Sequence, residues 1–289
     1  MRRFDLLEPT TTDQAVALLA EHGDEARLIG GGAMMSILLR QRLIAPSYLI
    51  STTGITGLNE LVRTGQGLSI GGATTLRALE RATDVKRDYP VLVDALQRVG
   101  NVRVRNVATI GGHLAQADIH LDLPPVLIAY GTTVITQSRR GQRRIPLQDF
   151  FVGYYETALA GDEIIVRVDV APPDPTLRGV YLKFCSLSPN DWPTVGVAAF
   201  LHARGGEVAE ARVVVGSVSE RPLQLAEAEG RLSGALTNLA IREVGQAYAD
   251  AADPLDDVRG SSDYKRRVTS VIVERAIRAA AEQAGITVA

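Results

Sequence analysis

Arg105-Asn106-Val107-Ala108-Thr109-Ile110-Gly111-Gly112-His113-Leu114-Ala115-Gln116-Ala117-Asp118 is the stretch on which the reading of this chain turns. It has no helical period, and a glycine pair interrupts its β-like run. Glycine tolerates positive φ and close backbone approach, so successive N–H groups in such a turn can face an anion. Asp118 and Asp122 follow Gly112 by six and ten residues. A carboxylate just beyond a phosphate-binding turn can accept hydrogen bonds from the hydroxyls of a ribose or ribityl chain. Aspartate is also a preferred helix cap, and Leu123-Pro124-Pro125-Val126-Leu127 opens a helix directly afterwards. Both readings of the two aspartates stay open at this point.

Outward from this stretch lies a second glycine cluster, Leu28-Ile29-Gly30-Gly31-Gly32-Ala33-Met34-Met35-Ser36. Two such loops facing each other would suit a diphosphate. Alone, each is weak, because glycine pairs also mark ordinary turns. Neither matches the GxGxxG dinucleotide fingerprint or the GxxxxGK[ST] phosphate loop.

The N-terminal segment alternates helix and strand. Thr11 with Gln14 resembles a capping box, and Gly23 is a plausible stop. Arg27–Ile29 and Tyr48–Ile50 read as short strands, with Met34–Leu39 helical between them. Further on, Gly67–Ala73 reads as a strand entering a turn and Thr74–Glu80 as a capped helix. Pro90 opens another helix, and Asn101–Asp122 has no helical period. Val134–Leu147 reads as a hairpin around Arg140-Gly141, and Ile164–Val170 alternates as a strand does. Ala171-Pro172-Pro173-Asp174-Pro175 breaks every pattern and marks a boundary. Beyond it, Val180–Leu187, Val195–Ala203 and Val208–Val218 predict three antiparallel strands, the last two joined at Gly205-Gly206. Helices are expected over Arg221–Leu232, Leu239–Ala249 and Tyr264–Ala284.

Composition narrows the function. The 289 residues carry a net charge of −2 and are 5% aromatic, so a basic, base-stacking nucleic-acid surface is not expected. Cys185 is the single cysteine, which excludes an internal disulfide and a four-thiolate iron–sulfur site within the chain. His22, His113, His120 and His202 are scattered without zinc-ligand spacing. MRRFDLLEPT has no apolar stretch after its arginines, and no run is long enough to span a bilayer. A cytoplasmic protein without a membrane span is expected.

The block from Arg105 to Asp118, ending in Asp122-Leu123-Pro124, resembles the second flavin motif of the molybdenum hydroxylase flavoproteins, whose core is T-I-G-G. That family includes the medium subunit of carbon monoxide dehydrogenase and the central domain of xanthine dehydrogenase. Gly30-Gly31-Gly32-Ala33-Met34-Met35 stands where the family's first motif lies, but Ala33 and Met34 replace its usual Gln/His and Ser. Phe4-Asp5 to Pro9 and Tyr264 through Ala276 also resemble the family, so the likeness spans nearly the whole chain.

The resemblance implies an α+β fold: a two-subdomain FAD-binding module (residues 1–55 and 56–173), then a C-terminal three-stranded antiparallel sheet with helices (174–289). It implies FAD contacts from Ile29, Gly30, Gly31, Gly32, Ala33, Met34 and Met35. A second backbone cradle would come from Thr109, Gly111, Gly112 and His113. Asp122 would bind hydroxyls of the flavin chain, Ile165 would pack on the cofactor, Lys183 would lie near the isoalloxazine, and Asp191 beside it. Trp192 is expected either to cover the flavin or to pack in the core. No residue is expected to act as a catalytic acid or base. The implied partners are an iron–sulfur small subunit and a molybdopterin large subunit, with electrons passing through FAD to an external acceptor. The competing expectations are a stand-alone flavoenzyme and a scaffold that has lost FAD.

Overall fold

The computed structural model describes residues 3–289. Met1 and Arg2, which open the expected N-terminal pattern, lie outside the described residues. Three larger sheets follow one another along the chain, with a separate two-stranded sheet between the last strands of the second.

The first is parallel. Strands β1 (Asp5–Leu7), β2 (Ala26–Ile29) and β3 (Tyr48–Ser51) pair in the order β1-β3-β2, with helices α1 (Thr12–His22) and α2 (Ala33–Arg40) as the crossovers. Thr11 caps α1 by accepting from the Gln14 amide, as expected. The reciprocal arm is displaced by one residue: the Gln14 carboxamide oxygen accepts from the Thr10 amide.

The second sheet is antiparallel, in the order β4-β5-β10-β6-β7. Its strands are β4 (Leu61–Thr64), β5 (Gly67–Gly71), β6 (Thr133–Ser138), β7 (Gly141–Pro146) and, after the small β8 (Phe151–Gly153) and β9 (Glu156–Thr157) pair, β10 (Ile164–Val170). Helices α3 (Leu76–Arg81), α4 (Thr83–Asp88), α5 (Pro90–Arg98), α6 (Val102–Val107), α7 (Ile110–Gln116) and α8 (Leu123–Ala129) fill the long β5–β6 connection. The aperiodic stretch therefore contains two short helices. Asn101 caps α6 and Thr109 caps α7 through their side chains. They are held less by periodicity than by neighbouring backbone: the Leu76 amide donates to Ala108 and the Ile110 amide to Thr74.

The third sheet has four strands, not three: β11 (Leu177–Phe184), β12 (Val195–Arg204), β13 (Glu207–Gly216) and β14 (Leu223–Gln224). The helix expected over Arg221–Leu232 is cut to α9 (Ala226–Gly230), because Leu223 and Gln224 extend along β13 after Pro222. Helices α10 (Asn238–Ala251) and α11 (Ser262–Ala284) pack on one face, where Val195, Val197, Ala199 and Leu201 meet Ile241, Val244, Val273 and Ile277. The alternate residues Ala198, Phe200 and Val214, with Tyr181, join the core under α5 and α8. The break at residues 171–175 thus separates elements but not the core. Among the described residues, no helix is long and apolar enough to cross a membrane.

Candidate cofactor cleft

The loop after β2 and the loop before α7 meet backbone to backbone. A Cβ at Gly31 would stand 1.4 Å from the Val107 carbonyl oxygen, and one at Gly30 would stand 2.5 Å from the Thr109 hydroxyl. Below them, the Gly111 amide donates to Gly72 and the Gly72 amide to Val166. A Cβ at Gly72 would lie 2.2 Å from the Ile165 carbonyl, and one at Gly111 would lie 2.7 Å from that of Gly72. Only glycine lets these main chains stack at such distances.

The two glycine loops differ in what they offer. In α7 the first-turn donors are already engaged: Ile110 with Thr74, Gly111 with Gly72, Gly112 with the Thr109 hydroxyl and His113 with the Thr109 carbonyl. In α2 the cap is Gly32, left-handed at φ 71, and no side chain caps the helix. The first-turn amides of Ala33, Met34 and Met35 therefore remain open, at the positive end of the helix dipole. Replacing the motif's Gln/His and Ser by Ala33 and Met34 removes side-chain donors but leaves this backbone group intact.

Between the loops runs an open cleft of about 590 Å³, within the roughly 300–1,000 Å³ of small-molecule sites. Of the fifteen residues the sequence singles out, fourteen line it: Ile29 to Met35, Thr109, Gly111, Gly112, His113, Asp122, Ile165 and Asp191. Lys183 does not. Its ammonium donates to Asp122 Oδ2 at 3.1 Å and to the Arg98 carbonyl at 2.8 Å, one bond away from the lining. The cause is electrostatic: Asp122 is the buried carboxylate within its reach. Trp192 also lines the cleft and is 41% exposed, which removes the core-packing alternative. The Arg259 guanidinium lies 5.5 Å from its ring centre and donates to Asp191 at 3.2 Å.

Neither aspartate caps α8 through its side chain. Asp122 occupies the cap position in helical backbone without a cap bond. Asp118 Oδ1 instead accepts from the His120 amide and faces the His120 ring at 3.0 Å, while Oδ2 accepts from Tyr155. Burial works against ionised Asp118, but these bonds outweigh it and hold its carboxyl below the usual range. Burial lifts Asp122 to about 6 despite Lys183 and Tyr181. His113 is pushed down to about 4 by burial and is a neutral imidazole at pH 7; its Nε2 is shielded and without a partner.

Several lining residues escape the sequence reading. Val99, Gly100 and Val104 arrive with α5 and α6, Glu163 and Ile164 with β10, and His120 with the turn before α8. His120 carried a signal in its two-residue spacing from Asp118. The others carried none, because only the tertiary fold brings them to the cleft.

This cradle has the features a dinucleotide-sized cofactor asks for: open helix N-terminal amides, a shielded unpaired imidazole nitrogen, apolar walls and a buried carboxylate. Comparison with known proteins agrees. Residues 2–173 match the FAD binding domain in molybdopterin dehydrogenase, and residues 181–280 the CO dehydrogenase flavoprotein C-terminal domain. The chain is 31% identical to the 6-hydroxypseudooxynicotine dehydrogenase complex subunit alpha of Paenarthrobacter nicotinovorans, over 97% of this chain and 95% of that one. It is 30% identical to the carbon monoxide dehydrogenase medium chain of Hydrogenophaga pseudoflava, over 96% and 97%. The solved carbon monoxide dehydrogenase of that organism superposes with a TM-score of 0.95 at 30% identity, covering 98% of each chain. Quinoline 2-oxidoreductase from Pseudomonas putida 86 superposes at 0.92, also at 30% identity and 98% coverage of each. With both parts of the chain matched, and with these relatives covering nearly its whole length, this protein belongs to the FAD-binding medium subunits of the molybdenum hydroxylase family, as a flavin-dependent oxidoreductase subunit.

Proposed function

We propose that this chain holds FAD in the cleft, receives electrons from an iron–sulfur small subunit served by a molybdopterin large subunit, and passes them to an external acceptor. The observation that carries the cofactor's placement is the uncapped first turn of α2 opening beside the Gly30–Gly32 loop. The amides of Ala33, Met34 and Met35 would hold the diphosphate, and the partnerless His113 Nε2 would pair with a polar atom of the cofactor. Asp122 would accept from hydroxyls of the flavin chain, since each carboxylate oxygen has a second acceptor site beyond its present bond. Ile165 and Trp192 would supply apolar surface. Bound flavin supplies the redox chemistry, and the protein supplies position and electrostatics.

The subunit role is supported by two facts. Cys185 is the single cysteine, so any iron–sulfur cluster must be held elsewhere. The relatives above are a medium chain and a subunit of a dehydrogenase complex.

The test is anaerobic reduction of the FAD-loaded chain. Organic substrates alone should leave the flavin oxidised, and bleaching should require the iron–sulfur and molybdenum partners. Rapid bleaching of the isolated chain by an organic substrate would replace the subunit reading with a stand-alone flavoenzyme. A purified chain that takes up no FAD would favour the scaffold.

A further inference from the structure

Asn190, Asp191 and Trp192 reach the cleft from the loop between β11 and β12. From Ser186 to Trp192 no residue of this loop is buried, so core packing does not set its shape. Inside the loop, the Asp191 amide donates to the Ser188 carbonyl at 3.0 Å and the Trp192 amide to Asp191 Oδ1 at 2.8 Å. A further hold comes from Arg259, 68 residues beyond Asp191. Its carbonyl accepts from the Ser186 hydroxyl at 2.8 Å. Its guanidinium donates to Asp191 Oδ1 at 3.2 Å and lies over the Trp192 ring, 5.5 Å from the centre.

Arg259 is itself fixed. Its side chain is 13% exposed, and Nη1 lies 3.5 Å from Asp257 Oδ2. Asp257 Oδ1 accepts from the Arg259 amide at 2.8 Å and pairs at 2.7 Å with Lys265, a buried residue in the first turn of α11. Gly260 turns the chain at φ 144, and its amide donates back to the Asp257 carbonyl. Burial works against ionised Asp257, but the bonds from Lys265 and the Arg259 amide outweigh it and hold the carboxyl below its ordinary range. Asp257 Oδ2 also lies 3.6 Å from Nε2 of His120, which lines the cleft from the FAD-binding module. One line of contacts therefore runs from Trp192 through Arg259 and Asp257 to His120.

We propose that Arg259 is a positioning residue for the cofactor cleft: it fixes the Asn190–Trp192 lip, indole towards the cleft, and ties that lip through Asp257 to the turn that carries His120. The ligand half of the inference rests on the FAD reading above; the clamp does not. Arginine suits the task because a planar guanidinium can stack on an aromatic face while its edge pairs with a carboxylate, which a compact ammonium cannot do at once. The attraction between a cation and an indole face also strengthens away from water. Arg259 Nε is shielded and without a partner, so Asp191, Asp257 and Trp192 set the place of the group rather than a full set of bonds. Freed of Arg259, the loop has no buried residue to return it to one position. The lip would then be in place for only part of the time, and ligand affinity falls by that fraction.

Trp192 is the chain's single tryptophan, so its fluorescence reports the lip directly. The experiment measures anisotropy and acrylamide quenching on the full chain without flavin, then FAD dissociation from the loaded protein. The proteins are wild type, Arg259→Met, Arg259→Lys and Arg266→Met. Arg266 pairs with Asp253 at the start of the same segment and is the control for general loosening. In Arg259→Met the ring should gain the fast motion of free loops, so quenching should rise about twofold and anisotropy fall. FAD should leave roughly tenfold faster, since such changes act mainly on dissociation. Arg259→Lys should fall between, and Arg266→Met should match wild type. Unchanged quenching and anisotropy in Arg259→Met would overturn the proposal. Faster FAD loss with an unmoved Trp192 would mean direct contact between arginine and ligand, and would overturn it too. Equal loosening in Arg266→Met would do the same. Should Arg259→Met fail to fold, Asp191→Asn carries the test: a smaller rise in quenching supports the clamp, and none rejects it. Wild type that takes up no FAD would remove the cofactor reading and the ligand half of this inference, while a loosened Trp192 in flavin-free Arg259→Met still supports the clamp. Normal uptake with a loosened Trp192 and unaltered FAD dissociation would remove the ligand half alone.

Discussion

Gly31→Ala isolates the contact that joins the two glycine loops. The added methyl would fall 1.4 Å from the Val107 carbonyl oxygen and 2.2 Å from its carbon. Ordinary contact begins near 3.4 Å, so the loops must separate by about 2 Å. Neither partner is a flexible side-chain tip that could swing away. Overpacking of this kind typically costs about 1–3 kcal/mol. In a domain of 150–250 residues each kcal/mol lowers the melting temperature by roughly 2–4 °C. The same displacement carries Ala33, Met34 and Met35 away from Thr109, so FAD affinity should drop at least tenfold beyond the loss of stability. Isothermal titration of the flavin-free protein with FAD, beside a thermal melt, measures both. Gly161→Ala is the control, since a Cβ there meets nothing within 4 Å. Gly30→Ala should be milder, because its obstacle is the Thr109 side chain. Gly31→Ala with unchanged melting and unchanged FAD affinity would refute the claim that backbone contact between these loops forms the site.

Asp122→Asn should weaken FAD binding more than Asp118→Asn at pH 7, by about 1.5–3 kcal/mol or roughly ten- to a hundredfold; the opposite ranking in a direct titration would reject the assignment. Arg105→Met breaks the buried pair with Glu80 and should cost near the lower end of roughly 3–5 kcal/mol, since Arg77 still pairs Glu80; an unchanged urea midpoint would refute it. Burial raises Glu80, but the bonds from Arg105 and Arg77 outweigh it and hold the carboxyl below its ordinary value. That stability is present above the ordinary glutamate range and lost as pH falls through the lowered value, so the gap between wild type and Arg105→Met should narrow in acid. Trp192 is the chain's single tryptophan and lines the cleft. FAD uptake should quench its fluorescence, and an unaltered emission spectrum on saturation would place the cofactor elsewhere.

Legibility in the sequence followed the range of the interactions. The β6–β7 hairpin could be read because Gly141 takes φ 105 at the turn, and the β12–β13 turn because Gly205 and Gly206 are both left-handed. Local caps such as Thr11 and Thr75 were legible for the same reason. Helices α6 and α7 were not, since their six and seven residues depend on distant backbone acceptors. Strand β14 is two residues long and exists because β13 offers it an edge. For Lys183, alternation fixes a face of β11 but not what that face meets; the sheet turns it towards the end of α5 and the start of α8. The glycines were visible, but which of them face a ligand and which face each other was not.

The stack of Gly31 on Val107, Gly111 on Gly72 and Gly72 on Ile165 has a consequence for how such a site can vary. Where a pocket floor is made of side chains, substitutions adjust its shape in small steps. Here the floor is amide and carbonyl groups, identical whatever sequence surrounds them, and any added carbon intrudes. Variation is therefore pushed outward to residues such as Met34, Trp192 and Arg259, which can change in size and charge without disturbing the floor. A chain built this way can exchange its rim, and with it what approaches the cofactor, while the seat beneath stays the same.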